Sequence, residues 1–81
     1  MNKNDILTEI QVIFRDLLAD PKVVIDPSSS MDTVEGWDSL LNINLILAIE
    51  ETFSVRLPIQ EMYAVKTVSD LMEKIELNQS K

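Results

Sequence analysis

Apolar residues recur along this chain in helical steps, interrupted once by a long polar stretch. Between residues 4 and 19, Ile6, Ile10, Ile13, Phe14 and Leu17 fall at spacings of one to four, while Thr8, Glu9, Gln11, Arg15 and Asp16 lie off that stripe. This period predicts an amphipathic helix, with Asn4 or Asp5 placed to cap its start and Asp20-Pro21 to end it. A second helix is expected from Ser39 to Thr52 or Phe53, capped by Asp38, whose charge suits the positive end of a helix dipole. Ile43, Ile46, Ile49 and Phe53 make one stripe, widened by Leu45 and Leu47, and Leu41, Asn44, Ala48 and Glu51 make another. That helix should be buried on one side and only partly polar on the other. Pro58 suits the first position of a short third helix ending near Ala64. Thr67-Val68-Ser69-Asp70 has the form of a capping box with Asp in place of Glu, and Val68, Leu71, Met72 and Ile75 then give the last helix its buried face. Residues 78–81 are expected to fray.

The connection from residue 20 to 38 has no such period. Pro21, Pro27 and Ser28-Ser29-Ser30 argue against a regular element. Connections this long are uncommon in compact domains unless tied down or functional. Val23, Val24, Ile25, Met31, Val34 and Trp37 are apolar enough to tack it onto the helices, and a strand at 23–25 would lack a partner. No internal repeat is visible. The expected architecture is all-α: a single domain over residues 1–81, a small four-helix bundle of three longer helices and one short one, with a long loop between the first and second.

Composition narrows the chemistry. Eighty-one residues bury only about 60% of their extended surface, so the core is thin. There is no cysteine and no histidine, which removes disulfides, thiol chemistry, the commonest general base and the commonest metal ligand. The net charge is −7, and residues 26–61 carry seven acids against Arg56 alone. Such a field disfavours nucleic acid and anionic membranes and favours a basic protein partner. The most apolar run, residues 40–49, is interrupted by Asn42 and Asn44 and falls short of the roughly 20 residues that span a bilayer. With no secretory signal visible, a cytoplasmic monomer that inserts in no membrane is expected.

Residues 36–40 read Gly-Trp-Asp-Ser-Leu and join the chain's only glycine to its only tryptophan. A nucleophilic serine needs a base; none is near in sequence, Lys22 and Lys66 being the nearest lysines, and no αβ sheet is present to carry one, so a hydrolase is nearly excluded. Asp32, Glu35 and Asp38 are three carboxylates within seven residues, but they lack EF-hand spacing and read as a solvated acidic loop, so no metal is expected. Asn78-Gln79-Ser80 matches a glycosylation sequon by chance in a chain without a signal. Taken singly, Ser39 is an ordinary helix-start serine and Trp37 a packing anchor.

Together these stretches are more specific. Gly36-Trp37-Asp38-Ser39-Leu40, a mostly apolar helix behind it, Glu50-Glu51-Thr52-Phe53 at its end, Leu57-Pro58 and Thr67-Val68-Ser69-Asp70-Leu71 resemble the acyl carrier and peptidyl carrier protein family over nearly the whole chain. The resemblance implies that Ser39 receives a 4′-phosphopantetheine arm from coenzyme A, delivered by a separate phosphopantetheinyl transferase, and that the protein shuttles thioesters and is not an enzyme. A phosphodiester at a helix start meets unpaired N–H groups and the positive dipole end, so the anion is tolerated there. Trp37, Asp38 and Leu40 flank the site. The arm's cargo would fold back between helices two and three, where Ile46, Ile49, Phe53, Met62 and Val65 are the natural lining and equally natural core.

Fatty-acid-type members of the family place acids directly after Asp-Ser-Leu and again three positions on, where this chain has Leu41 and Asn44. Its partner face therefore begins apolar and neutral and turns acidic only at Glu50 and Glu51. Leu41, Asn44 and Met62 are expected to shape the choice among acyl-loading, synthase or transferase partners with basic or apolar patches. The expected role is a discrete carrier of a specialised polyketide, nonribosomal peptide or modified-lipid pathway. The alternative is a carrier-like interaction module that is never modified, with Ser39 only a cap.

Overall fold

The computed structural model describes residues 2–79, with the backbone alone at residue 59. Four helices follow one another: α1 (Lys3–Leu18), α2 (Ser39–Phe53), α3 (Ile59–Ala64) and α4 (Val68–Gln79). Ser80 of the sequon and the last two positions of the expected frayed end lie outside the described residues.

Each boundary has a local cause. The α1 cap is Asn2, two or three residues earlier than the expected Asn4 or Asp5: its Oδ1 accepts from the Asp5 N–H at 2.9 Å, satisfying an amide that the helix leaves open. Asp38 caps α2 by accepting from the Leu41 N–H at 2.8 Å. Pro58, expected at the first helical position, instead stands at the cap position of α3, one residue before the helix begins. The α4 capping box is complete, with Thr67 Oγ1 accepting from the Asp70 N–H and Asp70 Oδ2 accepting from the Thr67 N–H, both at 3.1 Å.

Burial follows the α1 stripe, with Ile6, Ile10, Ile13 and Phe14 all in the core. On α2 the buried line is Asn42, Leu45, Ile46, Ile49 and Phe53. Ile43 and Leu47, expected on the buried side, are 47% and 57% exposed, because the helix is rotated to present Leu45 and Ile46 inward. Val68, Leu71, Met72 and Ile75 bring α4 to the same core. No helix among the described residues is long and apolar enough to cross a membrane.

The long loop is tied down at both sides. Arg15 Nε donates to the Val23 carbonyl at 2.8 Å, and Gln11 Oε1 accepts from the Ile25 N–H at 3.0 Å. On the other side, the N–H groups of Val68 and Ser69 donate to the carbonyls of Ser29 and Pro27 at 2.8 and 2.9 Å, so loop carbonyls satisfy the open amides at the start of α4. Ser30 and Thr67 form an isolated bridge. Ile25 and Trp37 are buried and Val23, Met31 and Val34 pack against the core, whereas Val24, expected to tack the loop down, is 76% exposed. Its neighbours Val23 and Ile25 already occupy the inward side of this extended stretch.

A turn closed by the Trp37 N–H on the Val34 carbonyl (3.1 Å) delivers the chain to α2, with Gly36 at φ +91°. Only glycine adopts this backbone without strain, and a Cβ there would meet Leu18 Cδ2 at 2.8 Å. Gly36→Ala is therefore expected to destabilise the fold by about 1–2 kcal/mol, read as a lower urea midpoint with an unchanged slope. An unchanged midpoint would refute the strain argument.

Candidate functional site

Ser39 is the first residue of α2, and it is exposed. Because Asp38 already caps the helix, the Ser39 hydroxyl is released from that role and has no hydrogen-bond partner among the described residues. The backbone N–H groups of Ser39 and Leu40 are likewise unpaired, whereas those of Leu41 and Asn42 are held by the Asp38 side chain and carbonyl. Free amides and the dipole end give this tip a partial positive character.

The tip is held in place from behind. Trp37 is 3% exposed and stands edge-on to Phe14 of α1, ring centroids 5.0 Å apart at 74°. Its indole N–H donates to Asn42 Oδ1 at 3.1 Å, and Asn42 Nδ2 donates to the Met62 carbonyl of α3 at 3.5 Å. Trp37 is thus buried beside the site, while Asp38 and Leu40 are exposed at it, Leu40 by 70%.

Between α2 and α3 runs a cleft of about 290 Å³ that includes Ser39, lined also by Met31, Asn42, Ile43, Met62, Tyr63, Val65 and Lys66. Of the expected cargo-lining residues, Met62 and Val65 are on its wall; Ile46, Ile49 and Phe53 are in the core and away from it. A larger hollow of about 790 Å³ under the long loop has no Ser39 in its wall and is lined largely by exposed loop residues.

Among the expected partner residues, Asn44 and Glu51 are exposed and Leu41 and Met62 half-buried. Glu50 is half-buried too, and its Oε2 accepts from the Leu57 N–H at 3.0 Å, fixing the turn after α2. Leu40, Ile43 and Leu47 instead form an exposed apolar line along α2, with Tyr63 of α3 also 78% exposed. Sequence reasoning missed Met31, Asn42, Ile43, Tyr63 and Lys66 as cleft residues. Asn42 carried a usable signal, since 42, 45/46, 49 and 53 share the helical step of the buried line.

Electrostatics at the tip come from backbone and cap. Lys66 is the one cation in the cleft wall among the described residues. No described group of three carboxylates gathers closely enough to hold a metal ion. In the loop, hydrogen bonds from Ser28, side chain first, hold the exposed Asp26 carboxyl below its ordinary range.

A family model described as "Phosphopantetheine attachment site" matches residues 8–75. The chain is 37% identical to an acyl carrier protein of Thermosynechococcus vestitus over 76 residues, 93% of each chain. It is 32% identical to one from Phenylobacterium zucineum over 74 residues, 90% of this chain and 92% of the relative. Among solved structures, a holo acyl carrier protein from Geobacter metallireducens superposes with a TM-score of 0.81 at 27% identity, covering 91% of this chain and 85% of that one. An acyl carrier protein from Thermotoga maritima superposes with a TM-score of 0.85 at 21% identity, covering 99% and 93%, a likeness of fold.

Proposed function

The chain belongs to the acyl carrier protein family defined by the phosphopantetheine attachment site, and on that premise we propose that Ser39 receives the arm. The observation that supports this most is the exposed, unpartnered Ser39 hydroxyl on the tip of α2, with capping left to Asp38. The residues present fit the group: a hydroxyl for a phosphodiester, two unpaired amides and a dipole end for its negative charge, and Lys66 in the same cleft. When attached, 4′-phosphopantetheine from coenzyme A supplies the thiol on which acyl groups travel as thioesters, a group this cysteine-free chain lacks.

The chain's own part is to hold and present. Trp37 and Asn42 fix the start of α2, Asp38 keeps it helical, and Ser39 offers its oxygen outward. The chain has no histidine to serve Ser39 as a base, so a transferase activates it from outside; as a member of the acyl carrier protein family the chain is a carrier and not an enzyme. The whole of residues 1–81 acts as this one carrier unit, in the cytoplasm with the coenzyme A it draws on.

Intact mass after incubation with coenzyme A, Mg²⁺ and a promiscuous phosphopantetheinyl transferase tests the reading. A gain of one arm, lost in Ser39→Ala, is expected. A chain left unmodified by every transferase tried would instead make it a carrier-like interaction module.

Partners meet α2 on a face that begins without charge. Leu40, Ile43 and Leu47 are its apolar line, Asn44 is neutral, and Glu51 is its exposed acid. That face favours an apolar docking patch over a purely basic one and supports a discrete carrier of a specialised pathway. Leu41→Asp is expected to lower activity with the cognate partner, but Leu41 also packs against the core. Leu47→Glu is the cleaner variant: kcat/KM with that partner should fall about tenfold while stability changes by no more than about 0.5 kcal/mol. Unchanged kinetics would remove the apolar line from the docking face.

A further inference from the structure

Asn42 is the one buried polar side chain among the described residues, 6% exposed. Its orientation is fixed by chemistry. An indole N–H only donates and a carbonyl only accepts, so Oδ1 faces Trp37 at 3.1 Å and Nδ2 faces Met62 at 3.5 Å. The second bond is long, and the remaining N–H of the amide has no partner among the described residues. Asn42 also lines the cleft that holds Ser39, facing a wall otherwise made largely by Met31, Ile43, Met62 and Val65.

A cargo in this cleft meets the Asn42 N–H that has no partner among the described residues. A saturated chain then leaves an amide donor buried against hydrocarbon with water shut out, an unfavourable state. A cargo with an acceptor oxygen takes up that N–H and leaves the Asn42–Met62 bond in place. Resting on the carrier reading above, we propose that Asn42 makes the cleft selective for short acyl groups bearing an acceptor oxygen, such as hydroxyacyl or oxoacyl groups, over saturated chains of the same length. The cleft volume of about 290 Å³ restricts this to short cargo.

The test loads the native protein with a butyryl or a 3-hydroxybutyryl arm, using the acyl-coenzyme A and a promiscuous transferase, and verifies loading by mass. Two readouts follow: the rate of thioester cleavage by hydroxylamine, divided by that of the same acyl group on free coenzyme A, and the NMR signals of the Asn42 side-chain amide and the single indole N–H. The 3-hydroxybutyryl form is expected to be cleaved about tenfold more slowly than the butyryl form and to shift the Asn42 amide signals. In Asn42→Leu the difference should vanish or invert. Equal protection and equal shifts for the two cargoes in the native protein overturn the proposal, as does a preference that survives Asn42→Leu. The native comparison is decisive even where Asn42→Leu does not fold. Failure to load at all overturns the attachment reading and this proposal with it, whereas loading without discrimination overturns this proposal alone.

Discussion

A Ser39→Ala chain incubated with coenzyme A and a transferase is expected to gain no mass, while its thermal midpoint stays within about 2–4 °C of the parent. On the proposed attachment the loss is complete, because the substitution removes the oxygen that would bond the phosphate. The stability change is small because nothing leans on that atom: the Ser39 side chain is exposed and unpartnered, and Asp38 still accepts from the Leu41 N–H. Surface changes of this kind stay within about 0.5 kcal/mol, and 1 kcal/mol moves the midpoint of a domain this size by about 4–8 °C. Intact mass and a circular dichroism melt read the two halves separately. Residual mass gain in Ser39→Ala would transfer the attachment to another hydroxyl, and a collapse of the melt would mean that Ser39 holds the helix after all.

Trp37→Ala should have the largest effect on stability. The ring is 3% exposed, packs edge-on against Phe14, and satisfies Asn42 Oδ1 through its N–H. Truncating a buried aromatic costs about 3–5 kcal/mol, comparable to much of the total stability of a small domain. The expected drop in thermal midpoint is about 15–30 °C. Trp37→Phe separates the two contributions: it keeps most of the ring burial and strands the Asn42 acceptor, for about 1–3 kcal/mol. Helical circular dichroism is the proper probe, since these variants remove the chain's only tryptophan. A Trp37→Ala midpoint within a few degrees of the parent would show that the loop before α2 is not anchored by this ring.

The positions where sequence reasoning and structure part company share a physical cause. Asn4 and Asp5 looked like caps, yet Asn2 does that work, because helix ends are set by which side chain meets which open amide. Ile43 is apolar and falls on a plausible stripe, yet it lies half-exposed while Asn42 is buried, because Trp37 and Met62 offer the amide partners that the pattern does not display. Gln11 and Arg15 lie off the apolar stripe of α1, yet they hold the loop backbone at Ile25 and Val23. Glu50 is expected at the docking face, and its Oε2 also accepts from the Leu57 amide, a local role that the pattern does not display.

Period and composition alone determined that this is a four-helix, all-α chain with its long loop after α1, that Asp38-Ser39 opens the second helix, and that neither a thiol nor an imidazole is available to act on that serine. These are local properties, fixed by spacing and by which residue types are present. The tertiary structure decided which face of α2 turns inward, which polar side chains strap the loop, and that a cleft containing Ser39 has an amide in its wall. Those depend on partners distant in sequence, and a hydrogen bond between residues 42 and 62, or a loop carbonyl meeting the first amide of α4, exists only once the helices have packed.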